Sequence, residues 1–232
     1  MKLFKNFFIT IKTKGFITAM LAIKNFFIIL LVKFFSSSVL IKKKIFNYKM
    51  FLDPRDKGIS RTLLLFGERE LDHKIILEKV LKKNMKIFDI GANIGYYVLM
   101  QTKILGDKGK IVAIEPVPLN MKLLKKNLDL NNNKITKTIQ VALSSYNKKN
   151  SSKESFVLSS HSNLGRLIRK DDINIISKEG VENSNKKKVI KINTMNIKEL
   201  IQKTFLPDFI RMDIEGKETD ILDELASLKL KK

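Results

Sequence analysis

Acidic residues and glycines follow two short apolar segments in an order that suits the binding of a nucleoside. Asp89 lies near the end of the segment Lys86–Ile90, and Gly91 and Gly95 come directly after that segment. Glycine allows a tight backbone turn and lets a ligand approach the start of a helix without meeting a Cβ atom. Glu115 follows the next apolar segment, where a carboxylate can accept both hydroxyls of a ribose. These residues therefore predict a ribose-containing ligand.

Alternating strand and helix signals surround these residues and would position them. The predicted elements are strands over Lys86–Ile90, Lys110–Ile114, about 138–141 and 207–213, and helices over Tyr96–Leu105, about 118–130 and about 217–228. Gly106 is the expected C-terminal cap of the helix predicted over Tyr96–Leu105. This alternation predicts an α/β fold with a parallel sheet, and ligands bind such sheets at the carboxyl ends of the strands.

Two cofactors fit this arrangement, NAD and S-adenosylmethionine. A dinucleotide site needs the pattern Gly-x-Gly-x-x-Gly, whose middle glycine exposes the backbone to a pyrophosphate. Here the pattern is Asp-x-Gly-x-x-x-Gly, and Asn93 stands where the middle glycine would be. The sequence therefore favours S-adenosylmethionine.

Four motifs together resemble the FkbM-type methyltransferase family. They are DIGANIGYY at 89–97, AIEPVPLN at 113–120, VALS at 141–144 and FIRMDIEGKETDIL at 209–222. The resemblance runs from about residue 49 to 222, and its lead-in, MFLDPRDKGIS and GERE, is similar to archaeal-type members. It implies a Rossmann-like class I methyltransferase sheet, S-adenosylmethionine as cofactor, and usually O-methylation of a hydroxyl on a sugar, glycolipid or secondary metabolite.

The resemblance also implies roles for individual residues. The residues expected at the cofactor are Asp89, Gly91, Ala92, Asn93 and Gly95 at its methionine end, Glu115 at the ribose, and Ala142 near the adenine.

Asp213 and Glu215 are the candidate catalytic residues, because both lie near the end of the strand predicted over 207–213. Methylation of an alcohol needs an aligned oxygen and a group that removes its proton. The alternative is that both carboxylates only cap the following helix and complement its dipole. His161 is a second candidate base, although an exposed loop histidine without a role is the favoured interpretation. With no cysteine and two histidines, no metal site is expected.

Positive charge is concentrated at the N-terminus. The net charge is +22, and residues 1–50 carry ten lysines and no acidic residue. The apolar stretch 16–35 predicts a helix that spans a membrane or lies on an anionic one; packing on the following domain and a signal peptide are the alternatives. We expect a cytoplasmic protein associated with the inner face of the membrane.

The sequence divides into a basic apolar arm at 1–48, a lead-in segment at 49–85, and an incomplete methyltransferase domain at 86–232 with a polar insertion at 145–186. Because few residues follow Asp213, the C-terminal strands of the family fold are expected to be missing. The chain would then be a truncated member that binds the cofactor with impaired turnover. Methylation of an RNA 2′-hydroxyl is the other alternative, although nucleic acid is a disfavoured partner because no basic stripe interleaved with aromatics lies outside the arm.

Overall fold

The computed structural model describes residues 2–35, 39–144, 153–158, 166–167, 188–214 and 218–228. The chain forms two compact units, residues 1–71 and residues 72–232. The divisions predicted at residues 48 and 85 stay predictions, and most of the polar insertion predicted at 145–186 lies outside the described residues.

The first unit contains three helices and a β-hairpin. Its elements are α1 (Lys2–Lys14), α2 (Phe16–Phe35), β1 (Ile41–Ile45), β2 (Tyr48–Leu52) and α3 (Ile59–Phe66). The helix predicted over 16–35 is confirmed with those bounds. It is long and apolar enough to cross a membrane, and 11% of its apolar window is buried.

Polar contacts stabilise both ends of helix α3. The Asp56 carboxylate accepts hydrogen bonds from the backbone N–H groups of Gly58 and Ser60, both at 2.8 Å, which satisfies donors at the helix start. At the other end, Lys43 Nζ donates to the Leu64 carbonyl at 2.6 Å. Burial lowers the pKa of Lys43. The hairpin and α3 are therefore tied together at the carboxyl end of the helix.

The second unit carries the alternating elements. They are α4 (Leu71–Val80), β3 (Lys86–Ile90), α5 (Tyr96–Leu105), β4 (Lys110–Ile114), α6 (Pro118–Leu130), β5 (Thr136–Ile139), β6 (Ala142–Leu143), β7 (Lys153–Leu158), β8 (Arg166–Leu167), β9 (Lys188–Met195), α7 (Ile197–Lys203), β10 (Phe209–Met212) and α8 (Glu218–Ser227). The predicted strands 86–90 and 110–114 and the predicted helix 96–105 are confirmed at both ends.

Two sheets organise this unit. The central sheet has the order β10-β3-β4-β5 with every pair parallel, which confirms the predicted α/β class. The second sheet has the order β6-β9-β7-β8, in which β6 pairs parallel with β9 and the other pairs are antiparallel. Because β3 lies between β10 and β4 and all three are parallel, their carboxyl ends lie side by side at one edge of the sheet.

The alternation of side chains along β3 explains how the central sheet is covered. Phe88 and Ile90 face one side, where they join a core with Ile197 and Leu200 of α7 and Ile221 of α8. Asp89 points to the opposite side, as expected for a period of two.

Two of the predicted strands have different bounds in the structure. Strand β5 begins at Thr136, two residues early, because the Asn133 side chain accepts a hydrogen bond from the Thr136 N–H at 3.0 Å. It ends at Ile139, where Val141 N–H turns back to the Ile139 carbonyl at 3.2 Å. Strand β10 is shorter than the predicted 207–213, starting after Pro207 and Asp208. Strand β9 was not predicted.

Candidate functional site

The loop between β3 and α5 satisfies its own backbone donors. Its five N–H groups donate as follows, each at 2.9 Å: Gly91 and Ala92 to the Ile114 carbonyl, Asn93 to Glu115 Oε2, Ile94 to Asn93 Oδ1, and Gly95 to the Ala92 carbonyl. A loop that cradles a pyrophosphate must instead direct free N–H groups at the phosphate oxygens. This loop therefore has no donor left for a diphosphate.

Close packing explains the two glycines of this loop. Gly91 has φ +82°, and a Cβ there would lie 2.1 Å from the Asp213 carbonyl oxygen. Gly95 has φ +90°, and a Cβ there would lie 2.7 Å from Leu124 Cδ1. We predicted that glycine leaves room for a ligand, but in the structure the room beside both glycines is filled by protein. Gly91 allows the loop after β3 to touch the backbone that follows β10.

Glu115 is the most highly connected carboxylate at this edge. Its side chain is 4% exposed. Oε1 accepts from Val117 N–H at 2.9 Å and Asn120 Nδ2 at 3.2 Å, and Oε2 accepts from Asn93 N–H at 2.9 Å. A carboxylate offers about four acceptor positions, so three are occupied by the protein. Burial raises the pKa of Glu115 to about 7, despite these three donors.

Asp89 is fully buried beneath the same loop. Its Oδ2 accepts from Gln101 Nε2 of α5 at 2.6 Å, and its Oδ1 from Arg211 Nη1 of β10 at 3.2 Å. Burial raises the pKa of Asp89, and the opposing effects of Arg211 and Gln101 do not fully cancel it. We expected this carboxylate to bind an ammonium group or order the loop, and the structure shows contacts that fit the second role.

Arg211 connects Asp89 to the exposed Asp213. Its Nη2 donates to Asp213 Oδ2 at 2.7 Å, and its guanidinium carbon lies 3.8 Å from the ring centroid of Tyr97. The Tyr97 hydroxyl is 2.9 Å from His73 Nδ1. Burial disfavours the charge of Arg211, but Asp89 and Asp213 outweigh it, so the pKa of Arg211 is raised. Asp213 keeps 63% of its side chain exposed, so it is open to a ligand.

The other predicted site residues are placed as follows. Ala142 is buried in a small apolar cluster with Val117, Phe156 and Ile192. Glu215 and His161 lie outside the described residues, so their roles stay predictions. Among the residues that the structure describes, no group of three or more histidine or acidic side chains could hold a metal ion.

Sequence reasoning missed the supporting residues Gln101, Asn120 and Tyr97. Gln101 carried a usable signal, because it is a polar residue on a stretch of α5 whose other residues from Tyr96 to Met100 are apolar and buried. Its Oε1 has no hydrogen-bond partner among the described residues. Asn120 lies in the first turn of α6, five residues after Glu115. Polar side chains are common at that position of a helix, so the sequence did not indicate a contact with Glu115.

The arrangement is suited to a cationic ligand that carries a ribose. Asp89 and Asp213 place two carboxyl groups at the end of β10, against the single guanidinium of Arg211. Glu115 places a second acidic group at the end of the neighbouring strand β4. More acidic than basic groups at these strand ends favour a bound cation.

A protein-family model matches most of the second unit. The methyltransferase FkbM domain model matches residues 89–232, more than half of the chain. A comparison with curated proteins gave no match.

Several solved structures are similar to parts of the chain. A transferase from Pyrococcus horikoshii is 23% identical with a TM-score of 0.38, over 46% of this chain and 38% of that one. P. horikoshii TYW2 in complex with MeSAdo is 20% identical with a TM-score of 0.37, over 50% and 40%. M. jannaschii TYW2 in complex with AdoMet is 19% identical with a TM-score of 0.36, over 45% and 44%. The chain spans less than half the length of each of these proteins.

We predict that Gly91→Ala destabilises the second unit by more than about 4 kcal/mol or prevents its folding, because the new Cβ meets a backbone oxygen that cannot rotate away. Gly106→Ala is the matched control: Gly106 also has positive φ, at +70°, but nothing lies within 4 Å of its Cβ position. Gly106 has ψ −173°, a conformation that is nearly restricted to glycine, so strain alone should cost that variant about 1–3 kcal/mol. Urea unfolding measures both, and equal losses would contradict the proposed clash.

We also predict a pH-dependent difference between the wild type and Glu115→Gln. The folded pKa is about 7, above the ordinary value of 4.5. Below pH 4.5 both states hold the proton. As the pH rises to 7, the unfolded state ionises first, so the stability of the wild type relative to Glu115→Gln falls by roughly 3 kcal/mol. Urea unfolding of both proteins from pH 4.5 to 8 measures this, and a flat difference would contradict the raised pKa.

Proposed function

The chain belongs to the FkbM methyltransferase family, and we propose that it transfers a methyl group from S-adenosylmethionine to a hydroxyl of a sugar, a glycolipid or a related metabolite. The observation that carries this proposal is the loop 91–95, whose N–H groups are all used internally while Glu115 stands on the next strand. That combination suits a ribose without a pyrophosphate. We place the reaction at the cytoplasmic face of a membrane.

Different residues of the site would bind different parts of the cofactor. When bound, the cofactor supplies an electrophilic methyl group. Glu115 would accept the ribose hydroxyls, through its fourth acceptor position and the one now shared with Asn120 at 3.2 Å. The loop 91–95, with Gly91, Ala92, Asn93 and Gly95, would face the methionine end, and the buried Asp89 would order that loop from beneath. Ala142, small and in an apolar cluster, suits a flat adenine ring.

Asp213 is the candidate general base. It is the exposed carboxylate at the end of β10, and its N–H donates to the Ile90 carbonyl at 2.9 Å, which fixes its backbone next to the loop. Arg211 donates a hydrogen bond to the Asp213 carboxylate. Arg211 is itself positioned by its contacts with Asp89 and the Tyr97 ring. An oriented carboxylate can take the proton of an attacking hydroxyl. Glu215 is the second candidate, two residues further along the chain.

Calorimetric titration tests the cofactor. We expect saturable binding of S-adenosylmethionine and none of NAD, because the loop offers no donor to a diphosphate. Glu115→Ala should weaken the affinity by at least about tenfold, since hydrogen bonds to a charged acceptor are lost. Glu78→Ala, the same change on the surface, should bind as the wild type does. Binding of NAD, or an unchanged affinity of Glu115→Ala, would refute this assignment.

Transfer of labelled methyl groups tests the reaction. Label from the purified chain should enter a lipid-linked or free glycan fraction; label in RNA would instead support the 2′-hydroxyl alternative. Asp213→Asn should lower kcat by about 100-fold, as expected for loss of a general base, without weakening cofactor binding. Asp107→Asn, an exposed change at the amino end of β4, is the control. An unchanged kcat for Asp213→Asn would leave this residue with the capping role only.

A further inference from the structure

The first unit exposes an unusually large apolar surface. Of the 21 large hydrophobic side chains exposed in the described part of the chain, 12 lie on α1 and α2, and ten of these are on α2. Phe34 and Phe35 are 83% and 78% exposed, and Phe16 is 61% exposed. Within α2 only Ala19 and Ile29 are buried. Contiguous apolar exposure of this extent marks an interaction surface.

The charge around this surface identifies an anionic partner. Residues 1–50 contain ten lysines and no acidic residue. In the hairpin, Lys44 lies directly opposite Lys49, and Lys42 is two residues before Lys44 on the same face. Three lysines on one face of the hairpin favour contact with an anionic surface. A second copy of the chain would bring the same positive charge, so self-association through this surface is disfavoured.

Contacts inside the first unit fix how α2 can meet a lipid bilayer. Asn25, halfway along α2, donates from Nδ2 to the Leu65 carbonyl of α3 at 2.8 Å. Just before α2, Lys14 Nζ forms an ion pair with Glu68 at 2.8 Å and lies 5.3 Å from the Phe66 ring centroid. The helix is therefore attached to α3 near its start and at its middle.

These attachments are incompatible with a helix that crosses the bilayer. Twenty residues span about 30 Å, the thickness of the hydrocarbon core, so Asn25 would lie near its centre. Leu65 and the end of α3 would be drawn in with it, and so would the charged residues Glu68 and Arg69 that follow, each at a considerable cost. Lying in the interface avoids this cost.

We infer that the first unit binds an anionic lipid bilayer with α2 lying in the plane of the interface, where its exposed apolar side chains enter the headgroup boundary. Lys24 is exposed within the same stretch, and its long stem carries the ammonium group back to the headgroups. This inference deepens the membrane location proposed above and does not depend on methyl transfer.

Vesicle flotation with the full-length chain tests the partner. Binding to phosphatidylglycerol-containing vesicles should exceed binding to pure phosphatidylcholine vesicles by at least about tenfold and should weaken between 0.1 and 0.5 M salt. Phe27→Ser, Ile28→Ser and Leu31→Ser combined should reduce binding by at least about tenfold. Leu119→Ser with Leu222→Ser, exposed positions of the second unit, should leave it unchanged. Failure to bind anionic vesicles, or equal losses in both variants, would overturn the inference even if the chain proves an active methyltransferase.

Cysteine labelling tests the orientation, and the absence of native cysteine makes single-cysteine variants unambiguous. Thr13→Cys and Val39→Cys place one thiol on each side of α2, both at exposed positions. With protein bound to the outside of sealed vesicles, a membrane-impermeant maleimide should label both thiols equally. Protection of one thiol until the vesicles are dissolved in detergent would show that α2 crosses the bilayer, and would overturn the in-plane arrangement while leaving membrane binding intact.

Discussion

The buried ion pair between Asp89 and Arg211 is the contact on which the site depends. The two residues are register partners on adjacent parallel strands, although 122 positions separate them in the chain. Removing either partner would leave an uncompensated charge in the interior, which costs far more than the pair contributes. Gln101 takes the second oxygen of Asp89, and Tyr97 covers the guanidinium. The position of β10 relative to β3 is therefore fixed electrostatically as well as by the sheet.

Gly91 depends on that position. Its backbone lies so close to the Asp213 carbonyl that no side chain fits, and this closeness exists only because β10 pairs with β3. Because the two backbones lie so close, the exposed Asp213 carboxylate lies beside the loop that would hold the cofactor. A single constraint, strand pairing locked by a buried charge pair, thus sets the glycine requirement and the location of the candidate base.

Local patterns in the sequence predicted the helices and strands around the loop 91–95, but they did not predict the contacts between strands that are far apart in the chain. Strand β3 and helix α5 follow from an apolar run, a glycine pair and a cap, all within about 20 residues, and they were predicted at both ends. Strand β9 pairs with β7, whose residues lie some 35 positions earlier, and with β6. Its lysine-interrupted pattern gave no clear period. The Asp89–Arg211 contact and the true reason for Gly91 depend on pairing over 122 positions, which no single-sequence pattern shows.

The acidic residues at the ends of β3 and β4 explain why a cation would bind at this edge of the sheet. Asp89 and Glu115 are both buried, both have raised pKa values, and Asp89 contributes to the rise at Glu115. Arg211 donates hydrogen bonds to both Asp89 and Asp213, so its one positive charge is shared between two carboxyl groups. A cation bound there lowers the pKa of both carboxyls, and an ionised Glu115 is the better acceptor for hydroxyl groups. Cation binding and ribose binding would therefore be coupled through Asp89 and Glu115.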